Sequence, residues 1–206
     1  MAITINGNGT VTGVSVGGLP DGIVDTDMLA ANAVATAKIA AGAVTAAKRG
    51  AGAILQVVQA VKTGQFTSTA YDFTDITGLS VDITPASASN KILINFELQV
   101  GGTANNYAAF RLLRDSTHIG VSTVTDTDWK VATLGSLSHE NSYQLENTGT
   151  SFLDSPNTTS AITYKLQTSA YYNRTISINY PTSTGNSSGS YTATGISTIT
   201  AMEVAG

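Results

Sequence analysis

The chain has 206 residues, a net charge of −4 and a sequence pI near 4.9, and it contains no cysteine. The acidic balance, with no basic run to offset it, excludes a sequence-independent nucleic-acid binder. The missing cysteines exclude disulfides and thiolate metal sites. Charged residues make up 12% of the chain, about half the usual share, so Ser, Thr, Asn and Gly must carry the surface. That composition suits β-structure, because β-branched Thr fits a pleated strand. No apolar run approaches the roughly 18 residues of a membrane span. The opening MAITINGNGT has neither the basic nor the apolar region of a secretory signal, so no membrane partner is expected.

Residues 2–19 alternate Ile3 and Ile5 with polar neighbours, turn at Asn6-Gly7-Asn8-Gly9, and continue through Val11, Val14 and Val16. Asn-Gly is the strongest short hairpin signal. The segment 1–21 therefore reads as a small β arm. It is too short to hold a core, so it is either a frayed terminus or an arm that adds strands to another protein's sheet.

Residues 22–53 repeat every ten. Gly22, Asn32, Gly42 and Gly52 open the units, and Val24, Val34, Val44 and Ile54 hold the third place. Leu29 and Ile39 supply a larger apolar residue in the first two units. One decad buries too little to offset a backbone ordering cost of about 1–2 kcal/mol per residue, so the repeats must share a core with something else. A continuous helix would displace successive valines by about 80°, which leaves no straight apolar seam, and ten is not a coiled-coil period. The expectation is a kinked, segmented stalk shared between chains, with Val24, Leu29, Val34, Ile39, Val44 and Ile54 inward. Asp25, Thr26 and Thr36 can cap its short turns.

From Ile54 the period changes to two, the strand signal. Strands are predicted at 54–62, at 79–83 and at 91–100, where Ile92, Ile94, Phe96, Leu98 and Val100 share one face. Tyr107–Arg114 has helical propensity but sits between turn-rich segments. A strand is preferred there, with Ala108, Phe110 and Leu112 inward. Further strands are predicted at 119–124, 129–137, 161–167, 175–180 (with Tyr180 inward) and 195–204. Residues 143–152 read as loop-rich, and 181–190 as a long loop. Eight to ten short strands with regular turn signals and no βαβ alternation describe an antiparallel β-sandwich or jelly roll over 54–206.

Candidate chemistry is sparse. His118 and His139 read as ordinary loop residues without a third ligand at metal spacing. Asp126 and Asp128 offer oxygens to a Ca²⁺ but lack the glycine and distal glutamate of a calcium loop, so a solvated turn is the simpler account. No nucleophile elbow or phosphate loop occurs, so neither enzyme activity nor a cofactor is expected. Trp129, Tyr171, Tyr172, Asn173 and Arg174 lie in polar stretches. Ring faces beside amide and guanidinium donors suit recognition of a glycan or protein. The alternative is that these rings pack on sheets or subunit interfaces.

Two regions carry a resemblance. The head of the chain, GVSVGGLPDGIV followed by AANAVATAKIAAGAVTAAKRG, resembles the N-terminal regions of tailed-bacteriophage fibre proteins, especially those of phages of aquatic bacteria, where GAVTAAK-like decads recur. The distal part, through KILINFELQV, FRLLRDSTHIG and ITAMEV, is similar to fibre heads and to trimeric jelly rolls of the tumour-necrosis-factor and complement C1q type. The resemblance implies a homotrimer located in the virion. Residues 1–21 would anchor it to other virion proteins, 22–53 would form the stalk, and 54–206 would form a head facing a host cell-surface glycan or protein. A capsid decoration or cement protein is the alternative. A glycan-cleaving spike and a secreted lectin-like module are the remote ones.

Overall fold

The alternating residues beyond Ile54 build two antiparallel sheets that close over one apolar core. The computed structural model describes residues 4–5, 11–12, 34, 39–40, 43–45, 48–124, 130–183 and 192–206. It divides into two units, Met1–Thr45 and Ala46–Gly206. In the first unit β1 (Thr4–Ile5) pairs antiparallel with β2 (Val11–Thr12), Ile5 opposite Val11, which is the hairpin predicted around the Asn-Gly turn. Val34, Ile39 and Val44 are exposed in the single chain. Val24 and Leu29 lie outside the described residues, as do the capping Asp25, Thr26 and Thr36.

The second unit contains β3 (Ile54–Lys62), β4 (Phe66–Ser68), β5 (Thr74–Ile83), β6 (Lys91–Gly102), β7 (Asn106–Arg114), β8 (Thr117–Ile119), β9 (Leu134–His139), β10 (Glu146–Asp154), β11 (Ile162–Ser169), β12 (Ile176–Ile178) and β13 (Ser197–Val204). In the first sheet β3 and β4 follow one another along β13 and β12. Those two in turn border β6, whose far edge carries β10. In the second sheet β5 borders β11, β11 borders β7, and β8 and β9 share the far edge of β7. Each sheet thus has four rows. The chain crosses between sheets after β4, β5, β6, β9, β10 and β11, which is the connectivity of a jelly roll. The 54–62 strand and the Lys91 strand begin where predicted, and Tyr107–Arg114 is a strand rather than a helix.

The core follows the alternation. Ile92, Ile94, Phe96, Leu98 and Val100 are fully buried against Ala108, Phe110, Leu112, Tyr164 and Leu166 of the opposite sheet. Each such side chain contributes about 1.5–3 kcal/mol. A polar bridge crosses this core near its edge. Arg114 Nη1 on β7 donates to both carboxylate oxygens of Asp154 on β10, at 3.0 and 2.9 Å. The buried Tyr164 hydroxyl on β11 donates to the same carboxylate at 2.7 Å. Burial, reinforced by Asp154, pushes the Tyr164 phenol far above its usual range.

Several strand expectations are corrected. Residues 143–152, read as a loop, contain most of β10, which runs Glu146–Asp154. It is an edge strand that turns Thr148, Thr150 and Phe152 partly inward, so it needs little apolar content. Gly149 lets it approach β6, since a Cβ there would sit 2.2 Å from the Phe96 carbonyl oxygen. The strand predicted at 119–124 stops at Ile119 because Gly120 takes φ +58 under the Phe152 ring and leads the chain off the sheet. Of the strand predicted at 129–137, residues 130–133 lie outside any strand and β9 begins at Leu134. Tyr180 is exposed, not inward. Asn179 ahead of it adopts φ 68, which ends the alternation.

Polar clasps stand where these strand rows are interrupted. One joins the end of β12 to the start of β13. The buried Asn179 donates from Nδ2 to the Lys62 and Gly64 carbonyls at 2.7 and 3.2 Å, and its Oδ1 accepts from Ser197 Oγ at 2.6 Å. Another joins the end of β8 to the residue before β9. There Thr133 Oγ1 donates to the Ile119 carbonyl at 3.0 Å and accepts from the Leu112 amide at 2.8 Å.

The unit has two poles. Residues 48–53 lead into β3 at one of them, where Gly52 N and Ala205 N pair across to Ala205 O and Ala53 O. From Ile54 to Ser68 the row runs about 45 Å at about 3.3 Å per residue. The loops after β4, β6 and β11 gather at the far pole.

Candidate functional site: a tyrosine-lined groove

At the far pole one side chain ties the start of β7 to the β11–β12 loop. Asn106, fully buried at the start of β7, donates from Nδ2 to the Thr175 carbonyl at 3.0 Å and accepts the Tyr171 amide at 3.2 Å. Ala170 N donates to Ala70 O at 2.8 Å, which ties the β11–β12 loop to the β4–β5 loop. The Tyr171–Arg174 turn closes through Arg174 N to Tyr171 O at 2.9 Å, with Asn173 at φ 53, a conformation that Asn tolerates better than most residues.

This scaffold sets four tyrosines side by side. Tyr71 and Tyr172 have ring centroids 4.7 Å apart, Tyr107 and Tyr171 lie edge to face at 5.8 Å, and Tyr171 and Tyr172 do so at 6.2 Å. All four are exposed, from 46% at Tyr71 to 65% at Tyr172. They wall a groove of about 390 Å³ whose floor includes Ala109, Ala132, Gly135 and Ala170, within the range of small-ligand sites, about 300–1,000 Å³.

One cation enters the groove. Lys130 Nζ lies 3.6 Å from the centre of the Tyr71 ring and donates to the Tyr71 carbonyl oxygen. Burial holds its pKa below the usual lysine range; Asp72 opposes that shift and Arg111 adds to it. Arg111 stands behind, its guanidinium 3.8 Å over Phe73, with Nε and Nη2 donating to the Val131 carbonyl at 3.1 and 2.7 Å. Its Nη1 meets His118 Nε2 at 3.0 Å. A guanidinium only donates, so the imidazole nitrogen accepts. Burial, and then the Arg111 charge, lower the His118 pKa from its ordinary value, in keeping with a neutral ring.

Of the residues singled out from sequence, the structure brings Tyr171 and Tyr172 into the groove. It leaves Asn173 and Arg174 exposed on the turn beside it, outside the lining. Trp129, Asp126 and Asp128 lie outside the described residues. Ile54 is exposed at the start of β3. His118 is on β8 rather than in a loop, and His139 ends β9. Tyr71, Tyr107 and Lys130 were not anticipated. The outward place of Tyr107 was readable, one residue before inward Ala108, whereas Tyr71 and Lys130 are 59 residues apart in sequence and meet only through the fold. Among the described residues, no group of three or more His, Asp and Glu side chains is placed to hold a metal. The groove lining supplies ring faces, hydroxyls and an ammonium, with no carboxylate.

No protein-family model and no curated protein matches the chain. Among solved structures it is similar to infectious bursal disease virus strain Gx, with 13% identity, 73% of this chain and 40% of that one covered, and a TM-score of 0.37. It is similar also to the VP2 subviral particle of that virus, with 14% identity, 73% and 41% covered, and a TM-score of 0.38. The chain spans about two fifths of the length of these structures. A likeness of this size assigns no role to any residue.

Proposed function

We propose that the chain is a non-enzymatic virion surface protein that displays its jelly-roll head for attachment to a host cell-surface ligand. The observation that carries this reading is the position of the tyrosine groove at the pole opposite the start of β3. A head held at the start of β3 presents this aromatic, cation-bearing groove at its other end. Gold-labelled antibody on intact particles is expected to decorate projecting appendages. Tyr71→Ala combined with Tyr172→Ala is expected to weaken adsorption of the labelled protein to host cells at least tenfold, since buried aromatic anchors dominate binding surfaces, while leaving melting unchanged. Equal adsorption of variant and parent protein would remove the groove from the reading. Label confined to the capsid shell would favour a decoration or cement protein, a role that suits the short β1–β2 pair as an arm laid on a neighbour.

The same reading includes a homotrimer. Exposed Val34, Ile39 and Val44 recur at decad spacing, and the head adds an apolar row of its own. Val57, Met202, Leu93 and Leu153 are direct cross-strand neighbours through all four rows of the first sheet, and Val57 and Leu153 are exposed. The neighbouring row pairs Gln59 with Thr200 and Asn95 with Ser151 through side-chain hydrogen bonds at 2.8 and 3.0 Å, so part of its polar capacity is met before a second copy covers it. Three heads on one stalk raise avidity without improving any single contact. Light scattering at micromolar concentration is expected to give a trimer, and Val34→Asp with Val44→Asp to dissociate it or lower its melting temperature. An unchanged trimer with unchanged melting would sink the shared-decad core.

A further inference from the structure

A second hollow, of about 420 Å³, is lined by Gly120, Ser122, Val124, Val131 and Thr133, and it shares Lys130, Ala132 and Gly135 with the tyrosine groove. We propose that the two hollows form one trough, with Lys130 at the junction, and that it binds an extended acidic oligosaccharide. One sugar ring lies among Tyr71, Tyr171 and Tyr172, a carboxylate of the saccharide meets Lys130, and the following units continue toward Ser122. The inference rests on the attachment reading above and adds to it the class of ligand.

Shape, lining and charge each support this class. A run of linked rings needs a long channel with a low floor, and the floor here is Ala109, Ala132, Gly135 and Ala170. At Gly135 the fold demands no glycine: an added Cβ would meet nothing within 4 Å, and φ is not in the left-handed region. A side chain there would stand in open space inside the trough. The walls offer what a sugar uses, aromatic faces for its C–H faces and hydroxyls for its hydroxyls. Lys130 is the one charged side chain among the described residues lining either half. The Tyr71 carbonyl engages one donor of an ammonium that has three. Arg111 behind it adds a second positive charge, opposed by Asp72, and the two cations favour an anionic ligand over a neutral one at that point.

The test uses the full chain, with titration calorimetry against hexamers of galacturonate and of mannuronate and against cellohexaose as a neutral oligomer of equal length. At least one uronate hexamer is expected to bind ten times or more tighter than cellohexaose, and the corresponding dimer at least ten times weaker than its hexamer. Gly135→Leu is expected to weaken hexamer binding at least tenfold with unchanged melting. Lys130→Met, which keeps the aliphatic stem, is expected to erase the preference for the acidic oligomer. Equal affinity for neutral and acidic hexamers overturns the acidic class, and Gly135→Leu binding like the parent overturns the continuous trough. If none of the sugars binds while host-cell adsorption persists and depends on Tyr71 and Tyr172, the ligand is not an acidic saccharide and the attachment reading stands without this inference. If adsorption itself is missing, the attachment reading falls with it.

Discussion

Asp154→Ala is expected to lower the unfolding free energy by about 3 kcal/mol, the low end for removing one partner of a buried ion pair. Its carboxylate, 6% exposed, is shared by Arg114 and Tyr164 and joins β10 of one sheet to β7 and β11 of the other. The Arg114 side chain is 28% exposed, so its freed guanidinium recovers part of its hydration, which places the cost at that low end. The Tyr164 hydroxyl is fully buried and cannot recover any. Tyr164→Phe removes only a hydrogen bond and leaves the ion pair, so about 1–2 kcal/mol is expected. For a chain of this size each kcal/mol moves Tm by about 2–4 °C, so Asp154→Ala is expected to melt about 6–12 °C lower. Thermal melts at equal protein concentration, which oligomerisation makes necessary, check the order. A larger loss for Tyr164→Phe than for Asp154→Ala would show that the carboxylate is not the hub.

Acid is expected to unfold the head through Glu203, and Glu203→Gln to flatten that pH dependence. Glu203 on β13 is 1% exposed. It accepts Asn90 Nδ2 and the Ala86 amide on Oε1 and Gln56 Nε2 on Oε2, each at 2.6 Å. Burial works to raise its pKa, but these donors, with the Ser87 amide, together hold the carboxyl below the usual glutamate range. The folded state therefore releases this proton more readily than the unfolded chain. The stabilisation is complete above the unfolded value of about 4.3 and is lost as pH falls through the lower folded value. At neutral pH Glu203→Gln is expected to cost about 3 kcal/mol, since charge-assisted hydrogen bonds contribute about 1.5–3 kcal/mol each and the new amide faces two side-chain NH₂ groups with one oxygen. Urea titrations at pH 7, 5 and 3.5 check both parts. A variant whose stability falls with acid as steeply as the parent's would assign the acid sensitivity elsewhere.

The β-sandwich was legible because its strongest strands bury one face. In β6 five consecutive inward residues, Ile92 to Val100, leave no other register, and in β11 Ile162, Tyr164 and Leu166 do the same. What misled was composition at the edges. β10 looked like a loop because an edge strand is half covered and tolerates Thr148, Gly149 and Thr150. Residues 119–124 read as a strand, whereas the left-handed Gly120 under Phe152 turns the chain away. Of the groove, Tyr171 and Tyr172 were visible as neighbouring rings in a polar turn. Lys130 carried no signal, since an isolated lysine in a polar stretch reads as a solvated surface.

By itself the sequence determined the class of the molecule: period-two alternation for a two-layer β fold, a ten-residue period for a separate N-terminal segment, and no cysteine or basic run on which to build a disulfide framework or a nucleic-acid surface. Those properties are local, because side-chain period and composition are set within a few residues of chain. The tertiary structure alone decided that Tyr71, Tyr107, Lys130 and Tyr171 share one groove, that Asn106, Asn179 and Thr133 are clasps rather than surface polar residues, and that Asp154 and Glu203 are buried charges. These depend on which loops reach the same pole and which rows lie side by side. That pairing is fixed by the closure of two sheets over a common core, and no stretch of sequence contains it.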